Sequence, residues 1–175
     1  MMQKKVQIIS DGSLDLSQDL TKEKDIEVVP FYVSFDSETY QKEMVEVGVR
    51  EFYQEMVDHP TVFPKTSMPS VHDYYEVFEK HAKEQLPVIC ICITRKFSGS
   101  LQSATTAKDM ILEEYPDAQI TVIDSTVNTV LQGLYVLEAC RLRDMGLEYQ
   151  QIVDALLPIR ETGRIFFTIG SIDYL

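Results

Sequence analysis

The 175 residues contain no tryptophan, and cysteine, glycine and proline are scarce at three, seven and seven. Three cysteines cannot staple a disulfide framework, so the core must come from apolar packing, and a reducing compartment is the natural setting. So little glycine and proline excludes a collagen-like or low-complexity chain. Cations are also in deficit, with 16 Lys and Arg against 28 Asp and Glu, a formal charge of −12 and a pI near 4.6. A surface that tracks phosphates needs a basic patch, and Lys4, Lys5, Arg95 and Lys96 are too scattered along the chain to make one. That disfavours a nucleic acid partner, and the same charge disfavours an anionic membrane surface. No apolar run approaches 18 residues and no signal-type segment follows MMQKKVQ, so the expectation is a cytoplasmic protein without membrane insertion.

Chemical signatures are missing too. There is no Gly-x-x-x-x-Gly-Lys phosphate loop, no Gly-x-Gly-x-x-Gly after the first strand and no Gly-x-Ser-x-Gly elbow, and no cofactor is called for. His59, His72 and His81 lack metal-site spacing and read as exposed helix or loop positions. Cys90 and Cys92 fall two apart on a strand, hence on one face, with no second pair to complete a metal site, and read as buried core.

The sequence does hold a dominant strand-to-turn unit between Pro87 and Ala107. VICICIT, from Val88 to Thr94, is apolar on both faces and predicts a central parallel strand covered by helices on both sides. Leu101, Ala104, Lys108, Ile111 and Tyr115 follow at helical spacing, which places Ser98, Gly99 and Ser100 at a helix N-terminus and marks the turn as an anion site.

Around it, strand-like and helix-like patterns alternate, as in an α/β fold with an open, mainly parallel sheet and helices on both faces. Val6 to Ser10 reads as a strand, and a helix is expected from Ser13 through Leu14, Leu16 and Leu20. Glu27 to Phe35 (EVVPFYVSF) reads as one strand, at an edge or bulged because Pro30 removes a ladder donor, with Thr39 to Met44 returning as a short hairpin arm. Gly48 to His59 is an amphipathic helix with Val49, Phe52, Tyr53 and Met56 on one face. A loop delivers Lys65, Thr66 and Ser67 to a helix with Pro69 in its first turn, a capping box at Ser70 and Asp73, and a core face of Val71, Tyr74, Tyr75, Phe78 and Ala82. Gln119 to Asp124 is a further strand and Asn128 to Met145 a largely buried helix through Val130, Leu134, Leu137 and Cys140, stopped by Gly146. Tyr149 to Arg160 is a last helix and Ile165 to Ile169 a last strand.

Three strands thus end in hydroxyl-rich turns, Asp11 to Ser13, Ser98 to Ser100 and Asp124 to Thr126, and a fourth polar turn holds Thr66 and Ser67. In a parallel sheet such turns share one edge and line a crevice, so the candidate ligand-binding residues are Asp11, Ser13, Thr66, Ser67, Ser98, Gly99, Ser100 and Ser125. A single Ser is ordinarily a helix cap, and the set carries the case. Ser98 has Leu101 three positions on, which cannot complete a capping box and leaves its hydroxyl freer for a ligand.

The series IISDGSLDL, VVPFYVSF, KTSMPS, FSGSLQSA and VIDS, in this order and spacing, resembles the DegV family of bacterial fatty-acid-binding proteins, which includes the lipid-carrying subunit of the fatty acid kinase system. The resemblance covers essentially the whole chain. It implies that the hydroxyls of Thr66 and Ser98 bind a long-chain fatty acid carboxylate, with backbone N–H near Gly99 assisting, and that the acyl chain lies in an apolar tunnel. It implies also that a separate fatty acid kinase catalytic subunit phosphorylates the carboxyl group, so that this chain is not an enzyme. Gly12 departs from the family, which more often has Ser there. The chain stops at GSIDYL, where the family continues through a Gly-Gly-Arg segment into a second domain, so residues 1–175 read as an N-terminal α/β domain without the second. Rival readings are a serine-dependent hydrolase, for which no His is placed as a base to Ser98, and an acidic interaction module that carries no lipid.

Overall fold

The computed structural model describes residues 6–166 and 168. Four parallel strands, β1 (Gln7–Asp11), β2 (Ile26–Val29), β6 (Val88–Cys92) and β7 (Ile120–Asp124), form the main sheet in the order β2-β1-β6-β7. β6 is flanked on both sides and all five of its residues are buried, as an apolar run without alternation requires. Its side chains divide between two cores. Ile89 and Ile91 point to one with Ile8, Ile123, Val136 and Ile152, against α5 (Thr129–Asp144) and α6 (Tyr149–Ile159). Val88, Cys90 and Cys92 point to the other with Ile9, Tyr74, Phe78 and Ile111, against α3 (Val71–Lys83) and α4 (Ser100–Glu114). This is the α/β architecture with helices on both faces, and the strand order reverses between β1 and β6, the position at whose carboxyl ends open α/β sheets bind ligands.

A second, antiparallel sheet of β4 (Gln41–Lys42), β3 (Tyr32–Ser34) and β5 (Lys65–Ser67) lies beside that edge. The run EVVPFYVSF is therefore not one strand. Pro30 cannot donate to a ladder, and the chain leaves the edge strand β2 there and re-enters extended structure as β3 of the other sheet. The expected loop at Lys65 to Ser67 is a strand for the same reason, since Val33 pairs with Thr66 and Tyr32 with Ser67. The hairpin arm is present as β4.

Other boundaries shift. After β1 the chain makes a single 3-10 turn, Gly12–Leu14, and α1 (Gln18–Glu23) starts only where the Ser17 hydroxyl accepts the Leu20 N–H, not at Ser13. Pro69 precedes the α3 cap instead of opening its first turn, while the Ser70–Asp73 capping box is present. α2 (Val49–Asp58) has no buried residue, and Val49, Tyr53 and Val57 are exposed. In α5 the buried stripe is Gln132, Gly133, Tyr135, Val136, Ala139 and Cys140, and Val130 and Leu134 face outward. Gly146 does end the segment after α5, at φ +88. Ile165 and Phe166 are not in a strand, and Phe167 and Ile169 of that expected strand lie outside the described residues. Among the described residues no helix is long and apolar enough to cross a membrane.

Candidate functional site

Because β1, β6 and β7 run parallel, their turns share the carboxyl edge of the sheet, but the eight candidate residues divide into two groups there. Asp11, Ser100, Ser125 and Ser13 are turned inward. Asp11 is fully buried, and its Oδ2 accepts the Ile93 N–H at 2.9 Å and the Ser100 hydroxyl at 2.7 Å, while Oδ1 accepts Gln132 Nε2 at 2.8 Å. Burial pushes the Asp11 carboxyl up, and these neutral donors offset part of that rise. With its own proton on Asp11, the Ser100 hydroxyl receives that of Tyr74 at 2.6 Å. Ser13 donates to Gln132 Oε1 at 2.5 Å, and Gln132 Nε2 also reaches Ser10 Oγ at 3.1 Å. Ser125 is buried, donating to the Val127 carbonyl at 2.9 Å and accepting the Val127 N–H at 3.3 Å. Asp11, Ser13 and Ser100 thus tie the first two turns to each other and to α5, Ser125 closes its own turn, and the four have little left for a ligand.

Thr66, Ser67, Ser98 and Gly99 remain accessible. Thr66 and Ser67 are exposed on β5, and neither hydroxyl has a hydrogen bond partner among the described residues. Ser98 is half-buried at the head of α4, where its oxygen accepts the Ser100 N–H at 3.2 Å and its proton stays available. The hydroxyl is thus partly engaged in holding its own turn. Gly99 caps α4 without a side chain, and a Cβ built on it would stand 2.5 Å from the sulfur of Met68. Met68 immediately follows β5, so this close approach seats the Thr66 strand on the Ser98 turn and brings elements of the two sheets together.

A second close approach lies just after β1. A Cβ on Gly12 would lie 1.8 Å from Glu43 Oε1, which accepts the Phe31 N–H at 3.0 Å. Burial raises the Glu43 carboxyl, the Phe31 bond lowers it, and the charges of Asp11 and Asp15 raise it further. Gly12 is thus paired with Glu43, and a Ser in its place would have to displace that carboxylate. The β3–β4 arm is fixed to α3 by Asp73, which accepts the Tyr32 hydroxyl at 2.9 Å and pairs with Lys42 Nζ at 2.9 Å.

Nothing in the local pattern marks Tyr74, Met68 or Glu43 for these roles. Gln132 left a trace, a lone amide beside Gly133 in the apolar stretch TVLQGLYVLEAC. His59 and His72 are exposed as expected and lie near Glu55 and Glu76, but His81 is buried against Glu27 at 2.6 Å. Cys90 and Cys92 are buried, 3.7 Å apart.

A family model described as "Uncharacterised protein, DegV family" matches residues 5–175. A DegV domain-containing protein of Clostridium perfringens is 29% identical over 170 residues, 97% of this chain and 59% of that protein. A solved stearic acid-binding protein from Eubacterium ventriosum is similar with a TM-score of 0.83 at 46% identity, over 86% of this chain and 52% of that one. A DegV family protein from Thermus thermophilus, solved for its fatty acid binding, gives a TM-score of 0.74 at 30% identity over 89% and 53%. The chain spans about half to three fifths of the length of these relatives. With a family model matched from residue 5 to residue 175 and the same fold in solved relatives, the chain belongs to the DegV family.

Proposed function

We propose that this chain holds a long-chain fatty acid by its carboxylate at Thr66 and Ser98, with Ser67 and the backbone at Gly99 beside them, and presents it to a separate kinase subunit without itself catalysing. The observation that carries the reading is the close approach of Met68, which follows Thr66 and Ser67 in sequence, to Gly99, which follows Ser98, and this brings the exposed β5 hydroxyls toward the Ser98 turn. It is supported by the stearic acid-binding protein at 46% identity. Neutral hydroxyls and N–H groups suit a head group that must be handed on, since an Arg fork would grip it harder. The second half of the relatives' length is read as the rest of the tunnel wall. Burying an acyl chain gains about 0.8 kcal/mol per CH₂, enough over a long chain to offset desolvation of the carboxylate. The hydrolase reading gains nothing, because among the described residues the Ser98 hydroxyl is bonded to the Ser100 N–H and no His reaches it.

Organic extraction of purified protein and mass spectrometry should recover fatty acid. Thr66→Ala with Ser98→Ala should then weaken binding, at about 1.5 to 3 kcal/mol for each lost bond to a charged group. Unchanged affinity in a double variant with native circular dichroism would remove the site, and fluorophosphonate labelling of Ser98 would revive the hydrolase.

A further inference from the structure

Four cations distant in sequence line one cleft at the carboxyl edge of the main sheet. Arg95 and Lys96 follow β6 and stand just before Ser98, while Arg160 caps α6 and Arg164 comes from the segment after it. The cleft measures about 790 Å³, and among the described residues the carboxylates that line it are Asp124 and Glu161. In a chain with 28 acidic residues against 16 cations, this lining reverses the ratio to four cations against two carboxylates. Folding here gathers Arg95 and Lys96 with two cations that stand more than 60 residues later in the sequence.

The cations are also incompletely satisfied. Arg95 is 3.7 Å from Asp124 and Arg160 is 3.7 Å from Glu161, both long for a charge-assisted bond. Arg164 Nη1 donates to the carbonyls of Glu161 and Gly163, both at 2.7 Å, which orients the guanidinium without neutralising it. Lys96 has no ion pair among the described residues. The surplus of two positive charges matches a phosphate dianion, not a singly charged carboxylate, and Arg forks fit phosphate oxygens.

We propose that this cleft is a phosphate subsite beside the Ser98 turn, a reading that rests on the fatty acid site proposed above. Its ligand is a phosphate-bearing anion, which is either the phosphorylated head group of the bound lipid or the polyphosphate of the nucleotide that donates the phosphoryl group. The neutral hydroxyls at Thr66 and Ser98 compensate one carboxylate, and the cleft supplies the positive charge for what is added to it.

The test titrates the full chain and Arg95→Gln/Lys96→Gln/Arg160→Gln/Arg164→Gln with hexadecylphosphonate, palmitate and ATP. Two double variants, R95Q/K96Q and R160Q/R164Q, serve if the quadruple one fails to fold. The expected result is phosphonate binding weakened by about tenfold or more, as for lost bonds to a charged group, with palmitate affinity changed by less than roughly twofold. Loss for phosphonate alone assigns the cleft to the lipid head group, and loss for ATP alone assigns it to the donor. Phosphonate and ATP bound equally by wild type and variants, or palmitate lost in parallel with them, overturns the proposal. If wild type binds phosphonate or ATP in a cleft-dependent way but no palmitate, the subsite stands and the fatty acid reading falls.

Discussion

Gly133 sits where α5 crosses the turn after β1, and a Cβ there would stand 2.4 Å from the Leu14 carbonyl oxygen and 2.8 Å from the Leu16 side chain. A backbone carbonyl cannot rotate aside, so α5 itself must move, and Gln132 with it. Gly133→Ala should therefore cost about 2 to 3 kcal/mol by urea denaturation, at the upper end for overpacking. Gly146 is the control: it has φ +88 with nothing within 4 Å of an added Cβ, so Gly146→Ala pays only the left-handed strain of about 1 kcal/mol. Equal losses in the two variants would mean that the α5 crossing is not the constraint it looks. Gly99 differs from both, because its obstacle is Met68, the far end of a flexible side chain that can yield without unfolding the helix.

At the scale of elements, Asp73 joins three of them, capping α3 through Ser70 and holding Tyr32 of β3 and Lys42 of β4. Burial alone would raise its carboxyl, but the bonds from Ser70, Lys42 and Tyr32 outweigh it and bring it down from 3.8 to about 2. A depressed folded value means the unfolded chain binds the proton first as pH falls, so this contribution is complete only above about pH 5 and is lost on descent through the folded value of about 2. The raised carboxyls of Asp11 and Glu43 act in the opposite sense, so the informative quantity is the difference between wild type and Asp73→Asn. That difference in unfolding free energy should shrink steadily from pH 5 to pH 2, and a constant difference would deny Asp73 the role. The Ser70–Asp73 box was legible because its spacing is local, and VICICIT because an unbroken apolar run has few alternatives at that length. The break at Pro30 was not, since EVVPFYVSF stays apolar across it and only the pairing of Val33 with Thr66 reveals a second sheet. His81 was misread for a related reason: its partner Glu27 is 54 residues upstream. In the site, the turns were legible, but which hydroxyls face inward depends on Asp11, Tyr74 and Gln132 meeting across the fold.

For the whole molecule, the seam between the two sheets has a further consequence. β5 pairs through three residues and buries none of them, so its opening costs far less than that of β6, every residue of which is buried. A ligand that needs Thr66 on one sheet and Ser98 on the other binds only the closed form. At a free concentration of 100 times Kd it adds about 2.7 kcal/mol to closure, so amide hydrogen exchange in β5 should slow by roughly a hundredfold, while α2, which buries no residue and opens locally without parting the seam, is unchanged. No slowing in β5, or an equal slowing in α2, would place the ligand elsewhere. For a ligand held as proposed, occupancy reads out as the lifetime of a short strand, and that strand would act as a latch whose release rate bounds how fast the ligand can leave.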